Sequence, residues 1–221
     1  MKPLFVILLL FTSLSSRAEY VAVPLYQMIL TADEIVYGEI IALDSTSYQF
    51  KIEGETVEDR EVITVRRFED WACASRWTKY AVGQKLLLFL VEHDGAYVTM
   101  SAGNEGELPI LGDHIYLHRF SSPILPRIPD SDEGDEDEER ALSMKRYPLY
   151  GGRFLGYQVS LEQFLKTIET LKNCVEVKTI GNYHRITDAS FTCSNEELQV
   201  LCEDDLVLET MVIELKERYA D

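Results

Sequence analysis

The chain has 221 residues, with 21 basic and 38 acidic side chains and a formal net charge of −17. Hydrophobic residues make up 46% and charged residues 27%, the balance of a folded globular protein and not of a disordered one. Such acidity excludes a general nucleic-acid binder, because phosphate backbones reward basic surfaces, and it disfavours adsorption to anionic lipid for the same reason.

At the N-terminus Lys2 precedes Leu4-Phe5-Val6-Ile7-Leu8-Leu9-Leu10-Phe11, an apolar stretch too short to span a bilayer. Ser16-Arg17-Ala18 then offers small residues at the two positions a signal peptidase reads. Residues 1–18 are therefore predicted to be a signal peptide. Cleavage after Ala18 leaves an exported, periplasmic or secreted chain, Glu19–Asp221, with no later segment apolar enough for membrane insertion. Export changes how the cysteines read. Cys73, Cys174, Cys193 and Cys202 are an even number in an oxidising compartment and allow two disulfides in three pairings. Cys174–Cys193 with Cys73–Cys202 is the expected set, because the first two flank one short β-like stretch.

From Glu34 to about Arg119 the apolar residues recur with period two. Glu34–Leu43 is rich in β-branched residues, and Gly38 within it predicts a bulge or sharp bend. Tyr48–Glu53 alternates cleanly, and Glu61–Phe68 follows a turn containing Gly54. Lys85–Val91 is continuously apolar, as a strand buried on both faces must be. Asp94-Gly95 is a hairpin signal from which Ala96–Met100 returns, and His114–His118 closes the series. Five or six strands within about 85 residues, one of them bent at a glycine, predict a small OB-like Greek-key barrel over residues 19–120, with a β-sandwich fragment as the competing architecture.

Residues 121–150 read as a linker, with Pro123, Pro126 and Pro129 followed by the acidic run Asp130–Glu139, which repels itself and stays solvated. Residues 151–221 change to helical periodicity. Ser160 with Gln163 opens a helix whose Leu161, Phe164, Leu165, Ile168 and Leu171 share one face. Val175–Cys193 reads as a short hairpin or as two extended pieces around Gly181-Asn182. Ser194 with Glu197 opens a second helical stretch that runs toward Tyr219, either whole or divided into two helices at Asp204-Asp205. The expected fold class is α+β, a barrel with an α+β C-terminal region packed on it.

Thr31-Ala32-Asp33-Glu34-Ile35-Val36-Tyr37-Gly38-Glu39-Ile40 resembles the first barrel strand of netrin-like domains, the group that contains the tissue inhibitors of metalloproteinases. Trp71-Ala72-Cys73 and the stretch Tyr80–Leu90 are similar to a later strand of such exported domains. The resemblance spans roughly Tyr20 to His118 and implies an OB-fold barrel used for protein binding outside the cytoplasm. The inhibitors' zinc chelation needs a mature N-terminal cysteine, whereas this chain is expected to start Glu19-Tyr20, with Cys73 its nearest cysteine. That chemistry and its residues do not carry over.

Two loops are candidates for partner contact. Trp71, Arg76, Trp77 and Tyr80 combine the residue types that favour interface hot spots. Asn104, Glu105 and Glu107 belong to a glycine-flanked recognition loop, Gly103–Ile110, at a barrel mouth. His114 and His118 lie four apart, but on a strand they stand about 13 Å from each other, too far for one ion. Asp130, Asp132, Asp135 and Asp137 offer oxygens for loose calcium binding. No cofactor is implied, and no nucleophile elbow, HExxH pair or phosphate-binding glycine loop is present. The expected function is a noncatalytic protein-binding module presenting its barrel loops to an envelope or extracellular partner. The alternatives are a structural envelope protein binding divalent cations through the acidic run, and a hydrolase whose site one sequence does not disclose.

Overall fold

In the computed structural model the described residues are 22–54, 57, 59–71, 74–101, 105–118, 142, 144–181 and 185–219. Residues 1–18, expected to be a signal peptide, and the acidic run lie outside them. In chain order they form α1 (Leu25–Thr31), β1 (Glu34–Leu43), β2 (Ser47–Ile52), β3 (Val62–Arg66), β4 (Lys85–His93), β5 (Ala96–Thr99), β6 (Glu107–Leu111), β7 (His114–His118), β8 (Lys145–Leu149), β9 (Gly152–Ser160), α2 (Leu161–Cys174), β10 (Val175–Ile180), β11 (Arg185–Phe191), α3 (Asn195–Cys202) and α4 (Leu206–Tyr219).

Strands β1-β2-β3-β5-β4 close into a five-stranded barrel through pairing of β4 back to β1. Only β3 and β5 run parallel among these pairs. Gly38 sits where β1 changes neighbours, paired to both Ile52 and Leu86. A Cβ there would lie 2.0 Å from the Lys51 carbonyl oxygen, so only glycine lets the strands close. The expected bulge falls three residues later, between Ile40 and Ala42. The turn from β4 to β5 has positive φ at both Asp94 (53°) and Gly95 (72°), the geometry an Asp-Gly hairpin favours.

The apolar run of β4 divides its side chains between two cores. Leu86, Leu88 and Leu90 fill the barrel with Ile40, Phe50 and Val65. Leu87 and Phe89 face outward onto Met28 of α1, Phe164 and Leu171 of α2 and Met211 of α4. Burying each such side chain contributes about 1.5–3 kcal/mol, so this one strand joins the barrel to the helical layer.

The sheet does not stop at residue 120. It continues from β4 through β6, β7, β9 and β8, so the boundaries drawn around a 121–150 linker cut through a continuous ladder. Glu107–Leu111, expected to be loop, is β6, buried at every residue except Leu111. The far face of the extension packs Tyr116, Leu149 and Phe154 against Trp77, Tyr147 and Tyr150. Strand β8 is the outer edge, where Lys145, Arg146 and Pro148 are the charges and missing donor that blunt a free edge.

The helices start where their caps require. Ser160 Oγ accepts from the Gln163 amide (3.4 Å), while the Gln163 side chain turns away to Asp205 Oδ2 (2.9 Å), so this box is half made. At α3 the box is complete: Ser194 and Glu197 bond each other's amides. Asp205 ends the α3 turn and caps α4 through Leu208 N (3.0 Å). The expected Cys174–Cys193 disulfide is present and spans hairpin β10–β11. The expected Cys73–Cys202 bridge is corrected. Cys202 is a buried free thiol in the helical layer, and Cys73 lies outside the described residues.

Candidate functional site

The segment joining β3 to β4, Arg67–Gln84, is the longest described connection. Its described residues form no helix or strand beyond a bridge between Trp71 and Ala74. Connections of this length without regular structure are uncommon in compact domains and are usually either functional or linker segments. The segment lies across the barrel end, and Trp77 packs against both the barrel core and the Tyr116–Phe154 core. A Cβ on Gly152 would lie 2.3 Å from the Trp77 carbonyl oxygen, so the β8–β9 hairpin closes directly onto the segment.

An internal ion pair holds it. Arg76 Nε donates to Glu107 Oε2 at 2.6 Å, with side-chain exposures of 2% and 0%. The other carboxylate oxygen accepts from Tyr80 OH (2.6 Å), with Tyr48 OH at 3.5 Å. The Arg76 guanidinium lies 4.0 Å from the Tyr80 ring centroid and 4.8 Å from that of Trp77. Its Nη1 donates to Thr78 O (2.9 Å), and its backbone amide donates to Asp70 Oδ1 (2.8 Å). Burial first, then the Glu107 charge, pushes the Tyr48 and Tyr80 hydroxyls well above the ordinary tyrosine range. Both therefore stay protonated donors. A carboxylate engaged by a guanidinium and phenols is a clamp: it fixes where the segment lies.

The proposed contact residues separate accordingly. Trp71 is at the surface, 49% exposed, with Val82 of the same segment 60% exposed. Trp77 and Tyr80 are half-buried. Arg76, Glu105 and Glu107 are buried, where a surface contact needs an exposed side chain. Glu105 accepts from Ser101 Oγ and from Val23 N, and so ties the approach to α1 into the barrel. Asn104, Asp130, Asp132, Asp135 and Asp137 lie outside the described residues. His114 and His118 stand on β7, and His114 Nδ1 pairs with Asp113 (2.6 Å). Among the described residues no three His, Cys, Asp or Glu side chains gather closely enough to hold a metal ion.

Sequence reasoning missed Tyr48. Its alternation marked it as core, but its polar partner lies 59 residues away, where spacing gives no signal. Comparison of the chain with known family models, characterised proteins and solved structures finds no match.

Proposed function

We propose that this is an exported, noncatalytic protein-binding module that presents the barrel-end segment Arg67–Gln84 to a protein partner. The observation that carries the reading is the half-exposed Trp71 on a segment whose inner side is pinned by the Arg76–Glu107 pair. An aromatic carried on a segment that is already pinned binds at a lower ordering cost than one on a free segment. The Cys174–Cys193 disulfide fits an oxidising compartment, as the leader requires. No described helix is long and apolar enough to cross a membrane. The netrin-like features of β1 and β4 fit the same use of the barrel.

The test is retention of native envelope and secreted proteins on the immobilised chain Glu19–Asp221, beside a Trp71→Ala copy. One stoichiometric protein held by the first and lost from the second is the expected result. Equal retention on both, or none on either, would overturn the reading.

A further inference from the structure

The helical layer carries a second surface that the barrel-end reading does not use. Helices α3 and α4 leave an open groove of about 620 Å³ between them. Its floor is Leu198, Cys202 and Val212, which are buried, and Ile213, which is 40% exposed on a helix otherwise buried on most sides. An exposed isoleucine in a groove between two helices has the form of a seat for a third.

Charge decides what fits it. Residues 195–219 hold eight acidic and two basic side chains. Glu203 and Glu209 line the groove. The one base in its lining, Lys216, donates to Asn195 Oδ1 (2.9 Å) and lies over the Phe191 ring. Glu209 and Asp205 reach the floor electrostatically, adding to the burial that raises the Cys202 thiol. An anionic lipid surface is repelled by such a rim, and an acidic helix likewise.

We propose that the α3–α4 groove binds a basic amphipathic helix of a partner protein, its apolar stripe seated on Ile213 above the buried Leu198 and Val212 and its Lys or Arg side chains against Glu203 and Glu209. The groove is independent of Trp71, so the two surfaces fail or succeed separately.

The probe is a fluorescent amphipathic peptide of about 14 residues built from Leu and Lys, with a Leu/Glu peptide of the same pattern as its control. Anisotropy titrations use the mature chain, with thermal melts to verify that each variant is folded. Binding of the Leu/Lys peptide, weakened by added salt, is expected, with none by the control. Glu203→Gln with Glu209→Gln weakens it about three- to tenfold. Ile213→Ser, which changes no charge, weakens it about tenfold. Val62→Ser, at an exposed position of β3 that belongs to neither surface, leaves it unchanged. The proposal is overturned if the Leu/Lys peptide does not bind, or if the control binds as well. It is equally overturned if the groove variants have no effect, since the peptide then sits on another acidic stretch, or if Val62→Ser matches their loss.

Discussion

The barrel end and the helical layer are built by opposite means. The layer is held by apolar side chains from α1, α2, α3 and α4, with local caps and one disulfide between Cys174 and Cys193. The barrel end is closed by a segment without regular structure, positioned by a buried charge pair whose members are 31 residues apart. Apolar packing tolerates small shifts, whereas a guanidinium–carboxylate bond at 2.6 Å beneath two aromatic rings does not. The layer therefore supplies stability, and the clamp supplies position. Position is what a surface offering Trp71 needs.

The sharpest way to break this contrast is to remove one member of the clamp. Glu107→Leu leaves the Arg76 charge buried and unpaired, and denaturant unfolding is expected to show a loss of about 3–5 kcal/mol. In the layer, reducing Cys174–Cys193, whose partners are 19 residues apart, is expected to cost about 3 kcal/mol, read as a lower melting temperature with dithiothreitol. Asp205→Ala removes the α4 cap together with the bonds from Gln163 and Thr167, for a loss of about 2 kcal/mol by the same measurement.

Acid separates the regions more gently. Asp44, in the β1–β2 turn, is held at about 2, below its ordinary 3.8, by the Ser47 hydroxyl and by the Thr46 and Ser47 amides. A carboxyl depressed in the folded state gives its stabilisation in full above its ordinary value and loses it as pH falls toward the folded one. Melting temperature should therefore fall between about pH 4 and pH 2, and Asp44→Asn should make that limb shallower. The smallest change is Trp71→Ala. At an exposed site it should alter stability by less than about 0.5 kcal/mol, so any lost partner retention reports contact and not unfolding.

What was legible in the sequence follows from the range of each interaction. Strand β1 was read at its observed limits, Glu34–Leu43, because alternation and β-branching are local. The Asp94-Gly95 turn, the Ser194–Glu197 box and the Asp204-Asp205 break were legible for the same reason. Strands β6 and β8 were not. Pro109 and Pro148 argue against strands, and the first is tolerated in a five-residue strand while the second sits on the sheet edge. Helix α1 has seven residues and no side-chain cap, so it carried no start signal. At the site, the aromatic and arginine content of Trp71–Tyr80 drew attention to the right segment. Which of its residues face inward depended on Glu107, whose partners Arg76, Tyr80 and Tyr48 come from distant parts of the chain.

The most direct test of the clamp is a double-mutant cycle on Arg76→Met and Glu107→Leu, followed by denaturant unfolding. Each single variant should lose several kcal/mol while the pair together comes back near the wild type, because two apolar side chains replace the ion pair without leaving a charge unpaired. Losses that simply add would contradict the account: Arg76 and Glu107 would then act independently, and their pairing would not be what positions the segment that carries Trp71.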